Sequence, residues 1–245
     1  MRLPRLASPS GLAAYYLLVV VLLYLPILLL LLFSVNRNTA LTFPLRGLPT
    51  QWYEAVLQTP GLLVAARNSL VVAAGSSLMA TFLGTMIALL ATRYSFRGKL
   101  ALLGLAVLPL IVPFVVLGVS LLLLFSTLGL ERSLWTVGAA HTVVAIPYVL
   151  LIVVARLSQF DPDLEEAAMD LGADYPTALR RIVIPVCAPG MVAAALVACT
   201  VSCEEFALAL LLDGPDPTLP VYLCGQLRFA NRLPVMIALA MVMLA

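Results

Sequence analysis

The chain has 245 residues, of which 63% are apolar and only 11% are charged. Soluble domains average about 45–50% apolar and about 25% charged residues, so this composition argues against a soluble enzyme, a secreted protein and a disordered chain. The formal net charge of +2 is too small to indicate a nucleic acid partner. The composition therefore predicts an integral membrane protein that lies in a lipid bilayer.

Long uncharged stretches predict membrane-spanning helices, because about 20 apolar residues cross the hydrocarbon core. Five spans are predicted, at residues 12–35, 68–91, 100–125, 133–155 and 189–212. A sixth begins near Pro234, where 13 uncharged residues follow Arg232. These would form about 20 Å of helix, so we expect the sixth span to be incomplete at Ala245.

The basic residues predict a cytoplasmic N-terminus, because positive charge favours the cytoplasmic side. Arg2 and Arg5 precede the first span, and the short loop after the second span carries three basic residues and no acidic one. This orientation places the loop at 157–190 in the cytoplasm. It places Trp52 and Tyr53 in the first outer loop, where we expect them to anchor the fold at the membrane interface.

The loop at 157–190 is the one long polar stretch on the predicted inner side. Asp161 or Asp163 can cap a helix there, and Gly172 suits a left-handed turn that ends it. Pro185 marks the return into the bilayer. An apolar stripe at helical spacing is formed by Leu164, Ala167, Ala168 and Leu171. We therefore predict a compact helix–turn–helix element, covered either by its own membrane domain or by a groove on a soluble partner.

The same loop resembles the EAA signature of ABC importer permeases. That signature reads EAA, three residues, Gly, nine residues, Ile, any residue, Leu, Pro. The matching residues are Glu166-Ala167-Ala168, Gly172 and Ile182-Val183-Ile184-Pro185, with Ile184 in place of the leucine. Further segments are similar to spermidine/putrescine-type permease subunits: Gln51-Trp52-Tyr53, Arg67-Asn68-Ser69, residues 94–99, Glu204-Glu205 and Gly214-Pro215.

The resemblance implies an all-α, polytopic, six-helix type I ABC importer transmembrane domain in the bacterial inner membrane. Residues 1–245 would form one permease domain, with 157–190 inserted as a coupling loop between the fourth and fifth spans. The implied partners are a second homologous permease, two ATPase subunits and an extracytoplasmic substrate-binding protein. The residues implied in coupling to the ATPases are Glu165, Glu166, Ala167, Ala168, Asp170, Gly172, Ile182 and Pro185.

The chain itself is expected to be neither an enzyme nor a cofactor-binding protein. It has no phosphate-binding GxxxxGK[ST] motif, so ATP and Mg would be bound by the partner ATPases. The four cysteines are interpreted as small packing residues, because no metal-ligand pairing accompanies them. A secondary transporter or channel that works alone would explain the hydrophobicity but not the docking loop.

The acidic pair Glu204 and Glu205 lies inside the fifth predicted span. A carboxylate in the bilayer costs several kcal/mol unless it faces water, a cation or a protein partner. The pair either lines the translocation path and favours a cationic solute, or forms an ion pair with Arg228 or Arg232, or contacts the partner permease. His141, the only histidine, has no paired acid nearby in the sequence, and we expect it to be a packing residue.

Ser202 and Phe114 complete the candidate substrate path. Phe114 follows Pro113, where polyamine-type subunits can carry an acidic residue. Fewer carboxylates make a fully cationic solute less strongly favoured. A zwitterion such as γ-aminobutyrate, an amino acid or an opine therefore stands as the alternative to a polyamine-like substrate.

Overall fold

The computed structural model describes residues 9–38, 43, 45, 47 and 50–244, and all regular structure within them is helical. The predictions on Arg2, Arg5 and Ala245 lie outside these residues. The α-helices are α1 (Pro9–Ser34), α2 (Gln51–Leu57), α3 (Pro60–Arg93), α4 (Lys99–Val107), α5 (Phe114–Thr127), α6 (Leu134–Leu157), α7 (Asp163–Asp170), α8 (Tyr175–Ala178), α9 (Ile184–Glu204), α10 (Ala207–Leu212), α11 (Leu219–Gln226) and α12 (Leu233–Leu244).

Among the described residues, four helices are long and apolar enough to cross a membrane, or five if one bent pair forms a single span. A shorter apolar helix at Ala230–Leu244 corresponds to the start of the sixth predicted span. Helix α11 lies in the stretch predicted as an outer loop, so that part of the chain is more regular than its turn-rich sequence indicates.

The chain divides into two compact units, of which one combines residues up to Leu63 with those from Leu223 onward. In this unit α12 packs against both α1 and α2. The indole Nε1 of Trp52 donates to the Asn36 carbonyl at 2.7 Å, and the Tyr53 hydroxyl lies 2.8 Å from the Ser34 hydroxyl. The prediction that Trp52 and Tyr53 anchor the fold is confirmed by these contacts.

The second unit runs from Val64 to Tyr222, and its core is built from small residues on α3, α6 and α9. Small side chains let helix backbones approach closely within a membrane domain. The buried members of this core include Ala80, Ala88, Ala145, Val149, Val153, Ala194 and Ala198. A second cluster on α3, α6 and α10 contains Val72, Val137, Ala140, Val144, Leu208, Ala209 and Leu212.

Gly84 marks the closest approach in this core. A Cβ at this position would lie 2.7 Å from Val149 Cγ1 and 3.2 Å from the Ile146 carbonyl oxygen. We expect Gly84→Ala to cost about 1–3 kcal/mol and to lower the thermal midpoint of the purified protein. Gly75→Ala on the same helix is the matched control, because nothing lies within 4 Å of its added Cβ. Equal midpoints for the two variants would contradict this packing.

The third predicted span is not one continuous helix. Helix α4 passes through a short 3₁₀ turn at Leu108–Leu110, and α5 then leaves at 110° to it. Pro109 and Pro113 cause the break, because each lacks an N–H for the helix ladder, and Pro113 takes an extended backbone at φ −56° and ψ 133°. The sequence shows where both prolines lie, but it does not predict the angle between α4 and α5.

The fifth predicted span has the wrong limits at both ends. A helical stretch of 30 residues runs from Tyr175 to Glu204, so the polar loop enters the membrane helix without a gap. A wider π-helical turn at Leu179–Val183 accommodates Pro185, which has no N–H to donate within the helix. At the other end Glu205 is extended, at φ −72° and ψ 119°, which separates α9 from α10.

Candidate functional site

The polar loop folds as the helix–turn–helix element that the sequence predicts. The Asp161 side chain accepts a hydrogen bond from the Asp163 amide at 3.1 Å, where α7 begins. Gly172 has φ +92°, the left-handed conformation that glycine adopts without strain. The Asp174 side chain accepts from the Thr177 amide at 3.2 Å and starts the next helix. The turn between α7 and α8 is thus specified by local side-chain contacts.

Hydrogen bonds from the side chain and the backbone of Thr177 lower the pKa of the Asp174 carboxyl below its ordinary value of 3.8. A lowered pKa means that the folded loop favours the carboxylate form. This stabilisation is present above the unfolded pKa and is lost as the pH falls through the folded one. The cap is therefore fully charged at neutral pH.

Glu165 points into the protein and joins α7 to the end of α3. Its Oε2 lies 2.9 Å from Nη2 of Arg93, and Glu165 is 5% exposed. The Arg93 guanidinium also stacks 5.2 Å from the centre of the Phe160 ring. Beside this ion pair, the rings of Tyr94 and Tyr175 meet edge to face at 6.4 Å. These contacts tie the C-terminal end of α3 to both helices of the polar loop.

The apolar stripe faces outward instead. Leu171 is 90% exposed, and Leu164 and Met169 are also exposed. An acidic residue is therefore buried while large apolar ones are not, which reverses the usual arrangement. The predicted coupling residues divide into exposed Glu166, Ala167, Asp170, Gly172 and Pro185, half-buried Ala168 and Ile182, and buried Glu165. Apart from half-buried Ala168, no described part of the chain covers the stripe.

A second polar site lies at the break in the fifth span. The Glu205 carboxylate accepts hydrogen bonds from the amides of Ala207 at 3.0 Å, Leu208 at 2.9 Å and Ala209 at 3.3 Å. Glu205 thereby satisfies the free N–H groups at the start of α10 and places negative charge at the positive end of that helix.

His141 of α6 contacts this carboxylate and connects it to two serines. Its Nε2 lies 3.4 Å from Glu205 Oε2, and its Nδ1 lies 2.7 Å from the Ser202 hydroxyl. The Ser76 hydroxyl of α3 donates to Ser202 at 3.0 Å. His141 is buried, as expected for a packing residue, and its contact with Glu205 joins residues that are 64 positions apart in the chain. No local spacing could reveal it.

The candidate path residues do not form one cluster. Ser202 and Glu205 are buried together, whereas neighbouring Glu204 is exposed. Phe114 packs at the start of α5 against the apolar cluster around Val144. Three amides satisfy Glu205, so the alternative of an ion pair between this residue and an arginine is not needed.

Two of the segments that carry the resemblance meet at one end of the second unit. Asn68 Nδ2 donates to the Pro217 carbonyl at 3.1 Å, and the Leu219 amide donates to the Ser69 hydroxyl at 2.8 Å. The start of the second span therefore holds the chain that follows the turn at Gly214. These two hydrogen bonds give a structural reason for the polar side chains of Asn68 and Ser69.

Comparison with known proteins agrees with this arrangement. The family model of the binding-protein-dependent transport system inner membrane component matches residues 80–245. The spermidine/putrescine transport system permease protein PotC of Escherichia coli (strain K12) is 34% identical over 191 residues, which cover 78% of this chain and 72% of PotC. The putrescine transport system permease protein PotI of the same strain is 33% identical over 234 residues, which cover 92% of this chain and 83% of PotI.

A solved structure shares the fold. A chain of a bacterial ABC transporter involved in the import of the acidic polysaccharide alginate superposes with a TM-score of 0.71 at 15% sequence identity. The match covers 98% of this chain and 95% of that chain, which confirms the type I importer fold predicted from the sequence. The chain belongs to the family of binding-protein-dependent transport system inner membrane components and is a permease subunit of a bacterial ABC importer, not an enzyme.

Proposed function

We propose that the chain forms part of the translocation path for a polyamine-like cation and is driven through the loop at 157–190. The observation that carries this proposal is the orientation of α7. Its acidic Glu165 is buried against Arg93 of α3, whereas Leu171 is 90% exposed at its C-terminal end. A helix that is held to its own domain by a buried ion pair on one face, and that exposes apolar residues on the other, is suited to dock in a groove of a partner.

The docking partner that best explains this element is an ATPase subunit of the importer. The resemblance to ABC importer permeases implies a mechanism of alternating access, with inward-open and outward-open states, in which the polar loop would follow the ATPase as it moves. The helix from Tyr175 to Glu204 continues from the loop into the membrane, so a displacement of α8 is passed on to the fifth span without an intervening loop. We propose that the exposed EAA residues couple the chain to the ATPase, and that Glu165 holds α7 against the end of α3.

The complete importer would contain this chain, a second homologous permease, two ATPase subunits and an extracytoplasmic substrate-binding protein. The family description supports the binding protein, because it names the transport system as dependent on one. Residues 1–245 would act as a single permease domain with a cytoplasmic N-terminus. The basic loop after α3 supports this orientation, since Arg93, Arg97 and Lys99 then lie on the cytoplasmic side.

The proposed substrate is a small cation of the polyamine type. PotC and PotI, the relatives described above, are named for spermidine and putrescine transport. Exposed Glu204 lies in the outer part of the fifth span, where a carboxylate is stabilised by a passing ammonium group. We propose Glu204 as the charged path residue, with Ser202 and Glu205 behind it and Phe114 in the adjoining wall.

The coupling role is tested with Leu171→Asp. Because Leu171 is exposed, the substitution should leave the fold intact, but it places a charge in the docking face. We expect the affinity for the purified cognate ATPase to fall at least about tenfold, as for an anchoring residue of an interface. Affinity is measured by pull-down and by titration in detergent.

Gln159→Asp is the matched control, because it adds the same charge to an exposed position of the same loop that does not belong to the apolar stripe. We expect it to bind the ATPase like the wild type. Wild-type binding by Leu171→Asp would contradict docking through this face. Solute uptake without any ATPase would instead indicate a transporter that works alone.

A further inference from the structure

The break between α9 and α10 changes the hydrogen bonding of the fifth span. The amides of Ala207 and Leu208 bind the Glu205 carboxylate. In a continuous helix they would donate to the carbonyls of Cys203 and Glu204, four residues earlier. The last turn of α9 therefore loses two of its donors, and its carbonyl end carries partial negative charge beside the Glu204 side chain.

Such a broken helix needs an element that prevents it from closing into a regular one. The Glu205 carboxylate can hold α10 only while it stays over the first turn of that helix. On its other side stands His141, whose ring belongs to a different helix, α6. His141 is 2% exposed and Glu205 is 6% exposed, so water does not compete for either group.

The ring of His141 lies between the two serines and the carboxylate. Its Nδ1 is 2.7 Å from the Ser202 hydroxyl, and the Ser76 hydroxyl lies 3.0 Å from that of Ser202. On the other side of the ring, Nε2 is 3.4 Å from Glu205 Oε2, a close contact that is not a hydrogen bond. The series of contacts from Ser76 through Ser202 and His141 thus ends on the capping carboxylate.

We propose that His141 is a positioning residue for transport, which holds Glu205 on α10 and so keeps the fifth span broken beside Glu204. The inference rests on the proposed path role of Glu204. The ring links α6 to the break, and Ser76 links α3 to it. A shift of α6 or α3 between the inward-open and outward-open states would therefore change the position of Glu205 and of the backbone beside Glu204.

Two conservative variants separate the contacts of the ring. The amide nitrogen of glutamine can take the place of Nε2 beside Glu205, whereas the shorter asparagine replaces Nδ1 and reaches only Ser202. His141→Leu removes both contacts. If the hold on Glu205 is what matters, glutamine should rescue the function and asparagine should not.

Amide hydrogen exchange in the complete importer, reconstituted in nanodiscs, measures the break directly. We expect exchange of the peptide containing Ala207, Leu208 and Ala209 to be about tenfold faster in His141→Leu and His141→Asn than in the wild type. His141→Gln should remain close to the wild type. A peptide from α12 serves as the internal reference and should not change. Unchanged exchange in His141→Leu, or equal protection by asparagine and glutamine, would overturn the proposal.

Uptake of radiolabelled spermidine at a saturating concentration of its binding protein gives the second measurement. Glu204→Gln and His141→Leu should each lower the uptake rate about tenfold. The double variant should be slower than the slower of the two single variants by no more than about twofold. If the two reductions in uptake rate multiply in the double variant, His141 does not act through Glu204. If Glu204→Gln transports normally, the path proposal fails, while the exchange measurement still decides whether His141 holds the break.

Discussion

Arg93→Ala is expected to insert and fold but to import solute at about a tenth of the wild-type rate or less. The substitution leaves Glu165 without its cation in a site where it is 5% exposed. Breaking a buried ion pair by removing one partner costs about 3–5 kcal/mol, and the 20% exposure of the Arg93 side chain places the cost at the lower end. The protein can recover this energy by turning Glu165 towards water, which rotates α7 and its docking face.

The measurement compares solute uptake with ATP hydrolysis in reconstituted vesicles. We expect hydrolysis to continue while uptake falls, because the ATPases still bind but no longer move α3 and α9 together. Arg97→Ala is the matched control, since Arg97 is exposed and forms no ion pair among the described residues. Exchange of the charges in Arg93→Glu/Glu165→Arg should restore part of the uptake. A wild-type ratio of uptake to ATP hydrolysis in Arg93→Ala would contradict the proposal that this ion pair holds α7 in place.

The two adjacent glutamates are expected to give opposite phenotypes. Glu204→Gln should lower spermidine uptake about tenfold and leave thermal stability unchanged, because an exposed side chain loses its charge but no internal contact. Glu205→Gln should lower stability by about 1–3 kcal/mol, because one amide oxygen cannot replace two carboxylate oxygens that accept three N–H groups.

Thermal unfolding of the purified subunit and uptake by the full importer are measured on the same two variants. The result that would contradict the structure is a stable Glu205→Gln chain paired with an unstable Glu204→Gln chain. Uptake of γ-aminobutyrate in place of spermidine would identify the zwitterionic alternative. In that case the loss in Glu204→Gln should be smaller, because a zwitterion brings its own carboxylate to the path.

The fold of the polar loop at 157–190 could be predicted almost completely from its sequence, because its contacts are local. Asp161 starts α7 and Gly172 ends it, through interactions that span two or three positions. What the sequence did not predict is which face of α7 points inward. That choice depends on Arg93, more than seventy positions away, and an ion pair of this kind leaves no periodic pattern.

The amino-acid sequence by itself determined that this protein lies in a membrane, roughly where its long helices lie, and that its polar loop resembles the EAA signature. These properties follow from local composition and spacing, which act along the chain. Only the tertiary structure decided that the third and fifth spans are broken, that Glu165 is buried, and that Glu205 pairs with His141. Each depends on satisfying a buried polar group, and the partner that satisfies it is chosen by packing between distant helices.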